Sequence, residues 1–279
     1  MLRSFISRNP FTVFATLTLG YQFAVVGIVH TLTPAGLHMH DVPFAHMVFR
    51  FRVFGPLVFS MAITAYLEGI PGLKKLFASF FHWKVPAGWY LLAFTWKFIL
   101  GYLGMMVVAA LAIAPWPGWY VWNFLPTIIS NLAFIVGIAV VEETSWIRFS
   151  FTRMQERYSA LLSAIIVGLC WGLWYLPMML LGEGVPDGIP WFAFLFSMFS
   201  LTTLLGWVFN TTRSGTILLI MQVISNCAFV FIPMLPMTTN NPAYIQGFVI
   251  WFLLVAIIVI VVAGPKNLSR RERAKWSED

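Results

Sequence analysis

The chain of 279 residues is 60% hydrophobic and 17% aromatic, with 10% charged residues and a formal net charge of +7. Soluble domains carry about 25% charged residues, so a water-soluble fold, a disordered chain and a disulfide-stapled secreted module are all excluded. The apolar residues fall in blocks close to the roughly 20 residues that a bilayer-spanning helix needs, which predicts an all-α, polytopic transmembrane helical bundle.

Eight spans are predicted, at 11–32, 45–67, 89–114, 124–148, 158–181, 191–210, 215–235 and 244–264, forming a single bundle over 1–264 with a basic tail at 265–279. The first follows Arg3 and Arg8. It is too long, and too far from any small-residue cleavage site, for a signal peptide, and is expected to be a retained helix. The second span holds Arg50 and Arg52 near its outer end, where both are expected to snorkel towards the headgroups. Residues 73–84 mix Lys74, Lys75 and Lys84 with bulky apolar side chains, the composition of a short interfacial helix. The third span carries Lys97, expected to neutralise one of two acidic groups further along the chain.

Those groups are Glu142 and Glu143, in the fourth span. An apolar run precedes them, and Trp146, Ile147, Phe149 and Phe151 follow, so the helix is expected to continue through the pair and bury both carboxyls. Ionisable side chains in hydrocarbon are expensive and point to function by default. Two adjacent carboxyls in low dielectric cannot both ionise cheaply, a setting that suits a general base. Interfacial glutamates bonded to Arg148 or Arg153 would satisfy the same sequence. The fifth span has Trp171 and Tyr175, and the seventh Gln222 and Asn226, each pair at i,i+4 and so on one helix face. Taken singly, these read as packing aromatics and as polar residues that bond between helices. Cys170 and Cys227 lie within spans and read as small apolar packing residues. The tail from Ser269 to Lys275 is polar and reads as a solvated anchor.

The basic residues set the orientation. With the N-terminus inside, fourteen of the 17 Lys and Arg fall in cytoplasmic segments (Arg3, Arg8, Lys74, Lys75, Lys84, Arg148, Arg153, Arg157, Arg213, Lys266, Arg270, Arg271, Arg273, Lys275), and none in the outer loops, which hold Asp41, Glu183 and Asp187. The positive-inside rule therefore predicts both termini in the cytoplasm. Topology and anionic lipid heads account for the net charge, and no nucleic-acid partner is called for.

The order of motifs resembles the CPBP family of intramembrane proteases, which includes the type 2 CAAX prenyl proteases and bacteriocin-processing proteins. That family carries Glu-Glu-x-x-x-Arg, then Phe/Trp-x-x-x-His, then His-x-x-x-Asn/Asp, on three helices that meet at a buried site. Here Glu142-Glu143-Thr144-Ser145-Trp146 opens the first motif, Trp171-Gly172-Leu173-Trp174-Tyr175 follows the second, and Gln222-Val223-Ile224-Ser225-Asn226 the third, within a resemblance covering about 70–230. The departures are specific. Tyr175 and Gln222 stand where the resemblance places histidines, and Ile147 where it places the arginine, with Arg148 one residue late. On a regular α-helix that shift turns Arg148 about 100° away from the position facing Glu143, unless a local bulge restores it.

The resemblance implies Glu142 as the base that activates water, with Gln222 and Asn226 left to donate hydrogen bonds to a developing oxyanion. A tyrosine hydroxyl at 175 can orient water but cannot replace imidazole in acid/base work near neutrality. Without the two histidines the obvious zinc ligands are gone too, and neither metal nor cofactor is expected. The favoured expectation is a pseudoprotease of a bacterial inner membrane that contacts lipid and binds or scaffolds an integral-membrane partner. The alternative is an atypical glutamate-type intramembrane endopeptidase acting on membrane-associated peptides. A small-solute transporter fits less well, because no inverted repeat or matched pair of broken helices is visible.

Overall fold

The computed structural model describes residues 2–186 and 188–278; Asp187, expected in an outer loop, lies outside them. Among the described residues, eight helical runs are long and apolar enough to cross a membrane. Their main helices are α1 (Pro10–Leu32), α2 (Gly55–Ala78), α3 (Ala87–Ala110), α4 (Leu125–Glu142), α5 (Ala160–Tyr175), α6 (Trp191–Thr212), α7 (Gly215–Phe231) and α8 (Ala243–Ala263). The chain is thus a multi-pass integral membrane protein.

The second run is longer than its hydropathy suggests. It begins with a helix over Pro43–Phe51, and α2 is broken at Gly69, whose φ of 66° and ψ of −154° leave the helical region two residues before Pro71. Only glycine adopts that conformation cheaply. The short helix beyond the break ends in a 3-10 turn at Ser79–Phe81, and Thr216 Oγ1 donates to Phe80 O at 2.8 Å.

Where helices run close, glycine makes it possible. A Cβ on Gly104 of α3 would lie 2.7 Å from the backbone nitrogen of Phe248 on α8, and one on Gly168 of α5 would lie 2.5 Å from Thr202 Oγ1 on α6. Between helices already surrounded by lipid, such close backbone packing replaces the hydrophobic drive. α7 lies against α3 and α4, and so carries its polar residues towards the acidic end of α4.

The tail is not a free, solvated anchor. Ala274 and Trp276 are buried, and the tail is held by polar side chains of the bundle. Gln155 Nε2 donates to Ala274 O at 2.7 Å, Asn210 Nδ2 donates to Asn267 O at 2.7 Å, and Ala274 N donates to Asn210 Oδ1 at 2.9 Å. Trp276 Nε1 donates to Glu68 Oε1 at 2.7 Å. Buried amides satisfy one another most cheaply by hydrogen bonding, and this tail supplies the partners that Gln155 and Asn210 need.

Candidate functional site

Serine caps start two of the helices that bring site residues. Ser159 caps α5 by accepting from Leu162 N at 3.2 Å, and Ser214 caps α7 by accepting from Ile217 N at 3.3 Å. α5 stops at Tyr175 because Pro177 cannot continue it, which leaves the phenol at a helix end.

The first acidic residue closes α4 and the second opens a different helix. Glu143–Phe151 is a π-helix, with all nine residues buried. Its i→i+5 bonding gives wider turns, a form that recurs at functional sites. The late arginine therefore does sit in a locally widened helix, yet the bulge does not bring it to Glu143. Arg148 Nη2 donates to Lys75 O at 3.1 Å, and its guanidinium lies 4.9 Å from the centre of the Trp276 ring. Both carboxyl oxygens of Glu143 are buried with no hydrogen-bond partner. Arg153 binds elsewhere as well, donating to Glu68 Oε1 at 2.8 Å. The alternative of glutamates paired with Arg148 or Arg153 does not describe this molecule.

Glu142 is engaged from two other helices. Gln222 Nε2 donates to Glu142 Oε2 at 2.5 Å, and Tyr175 Oη donates to Oε1 at 3.3 Å. The residues standing at the two histidine positions of the resemblance thus meet the first glutamate directly. Trp171 is fully buried and stacks on Trp146, with ring centres 5.5 Å apart and planes 10° from parallel.

Two cavities flank this cluster. One, of about 520 Å³, is lined by Glu142, Tyr175, Asn226 and Trp174, and also by His40, His46, Arg50 and Arg52. The other, of about 280 Å³, is lined by Tyr175, Gln222, Ser225, Asn226, Trp171 and Lys97, with aromatic and aliphatic residues completing it. Tyr175 and Asn226 border both.

Two expectations for the basic residues, those for Lys97 and Arg52, need correction. Lys97 neutralises neither glutamate: its Nζ lies 3.6 Å from the centre of the Phe229 ring and 4.2 Å from that of Phe248. Arg52 does not snorkel; it is buried, with its guanidinium 3.5 Å from the centre of the Phe49 ring and a contact to Met178 Sδ. Arg50 turns to Asn131, donating to Oδ1 at 3.1 Å. The histidines of the 33–46 segment also matter more than their distance along the sequence suggests. His40 and His46 stack edge-on with centres 4.7 Å apart, and His40 Nε2 lies 2.6 Å from Glu183 Oε1. Nothing local could reveal this, since the contact joins residues 143 positions apart. Among the described residues, no three His, Cys, Asp or Glu side chains converge as a metal site requires.

Residues 122–228 match the model of the Rce1-like family, described as type II CAAX prenyl endopeptidase Rce1-like. This segment is Rce1-like. It runs from the start of the α4 span to just beyond Asn226 and holds Glu142, Glu143, Trp171, Tyr175 and Gln222. Comparison with curated proteins finds no significant match. The Rce1-like segment thus contains the helices that meet at Glu142, while the histidines and arginines of the larger cavity come from the chain before it.

Proposed function

We propose that this is a catalytically silent Rce1-like membrane protein that uses an inherited cleft to hold an integral-membrane partner, in a bacterial inner membrane with both termini in the cytoplasm. The observation that carries the reading is the pairing of Glu142 with Gln222 and Tyr175. Peptide hydrolysis needs a group that takes a proton from water and returns it to the leaving amine. An amide and a phenol hold the Glu142 carboxyl in place but shuttle no proton near neutrality, so the acid works without the imidazoles that the resemblance would supply beside it. Exposed apolar side chains such as Phe23, Ile28, Phe94, Ile99, Ile129 and Val136 provide lipid-facing or helix-facing surface for a partner.

The test is reconstitution of the full chain in proteoliposomes with a farnesylated peptide ending in a CAAX sequence. No C-terminal tripeptide is expected to be released, and Glu142→Gln is expected to behave as wild type does. Release by wild type that disappears in Glu142→Gln overturns the reading.

One observation favours a second reading, an atypical glutamate-type endopeptidase with Glu142 as general base and Gln222 and Asn226 as oxyanion donors. His40 and His46 line the same cavity as Glu142 and bring imidazoles from outside the Rce1-like segment. On that reading His46→Ala abolishes tripeptide release along with Glu142→Gln.

A further inference from the structure

Lys97 is the only charged side chain among the described residues lining the smaller cavity. It is 2% exposed and makes no hydrogen bond or ion pair among the described residues; its ammonium faces the rings of Phe229, Phe248, Trp96 and Phe252. Ring faces attract a cation, but they recover only part of the hydration that an ion loses in a membrane interior. Bundles meet that deficit with a counter-charge, and neither glutamate provides one here. Other polar groups around the cavity are unmatched as well: Trp171 Nε1 and Gln222 Oε1 are buried without hydrogen-bond partners. The remaining lining is apolar, including Phe194, Met198, Leu201 and Leu235.

We propose that this cavity binds a lipophilic carboxylate, a single-chain amphiphile whose head pairs with Lys97 and whose tail lies along Phe194, Met198 and Leu201. The charge fits a monoanion, since one cation cannot neutralise a doubly charged head. The donor count fits too, because the indole N–H of Trp171 and the amide of Asn226 can serve the head beside the ammonium. A cavity of about 280 Å³ holds a medium-length chain but not a two-tailed lipid. The assignment is independent of whether Glu142 supports catalysis, because Glu142 does not line this cavity.

Native mass spectrometry of the detergent-solubilised full chain, titrated with decanoate, decanol and decyl phosphate, tests it. One decanoate per chain is expected, half-saturating at a concentration at least tenfold below that of decanol. Lys97→Met is expected to bring the two within about twofold, and Leu201→Trp, which fills the cavity and leaves the lysine, to abolish the decanoate adduct. Equal binding of decanol by wild type, or undiminished binding of decanoate by either variant, overturns the proposal. Decyl phosphate binding tenfold more tightly than decanoate overturns the choice of head. If Lys97→Met does not fold, Leu201→Trp alone decides.

Discussion

Glu142 receives two hydrogen bonds of unequal quality, one of 2.5 Å from Gln222 and one of 3.3 Å from Tyr175. The difference has a measurable consequence. Removing a buried donor from a carboxyl leaves the acceptor unsatisfied, at about 1–3 kcal/mol. Gln222→Leu is therefore expected to destabilise the solubilised protein by about 2 kcal/mol, and Tyr175→Phe by less than about 1 kcal/mol. Thermal unfolding in detergent ranks the two, and a larger loss for Tyr175→Phe would show that the longer bond is the stronger. The residues concerned were legible in the sequence, because polar side chains at i,i+4 spacing within apolar runs are conspicuous. The fate of Lys97 was not. Its surroundings are Phe229, Phe248 and Phe252, more than a hundred residues away, and no local pattern announces a cage of rings.

Among the elements, spans were readable from block length alone, since a run of apolar residues near 20 has few other fates. Breaks within spans were less so. Gly69 and Pro71 mark the interruption of α2 by residue type, whereas the π-helix at 143–151 carries no signal in its letters. Within it Trp146, Ile147, Phe149 and Phe151 are all buried. Helix contacts make a sharper prediction. Gly104→Ala places a methyl 2.7 Å from the Phe248 backbone nitrogen and should cost about 1–3 kcal/mol through overpacking. Gly20→Ala, on the open side of α1 with nothing within 4 Å of the new methyl, should gain about 0.5–1 kcal/mol from helix propensity. Unfolding midpoints moving in opposite directions would bear this out, and a shared direction would contradict it.

At the scale of the whole molecule, the tail joins parts of the bundle that the sequence keeps far apart. Arg148 and Arg153 both approach the Trp276 ring, at 4.9 and 4.1 Å, and Glu68 accepts from both Arg153 and Trp276. Composition pointed the other way, because Arg270, Arg271, Glu272, Arg273 and Lys275 make the segment look like a solvated run. The anchoring bonds come from its backbone and from the side chains of Trp276, Arg273, whose Nε donates to Gln155 O at 2.9 Å, and Ser277, whose Oγ donates to Glu156 Oε2 at 3.0 Å, so position rather than charge decides that the segment docks. Trypsin is expected to cut wild type slowly at Arg270 and Arg271 in detergent. Trp276→Ala, expected to cost about 3–5 kcal/mol of packing at the tail, should expose both sites and speed cleavage at least tenfold. Equal rates would mean that the tail is loose in both proteins.

Because one phenol and one carboxamide border both chambers, neither can be reshaped alone. Turning the ring of Tyr175 away from Glu142 would free one carboxyl oxygen and reshape a wall that both spaces share, so what fills one bears on the other.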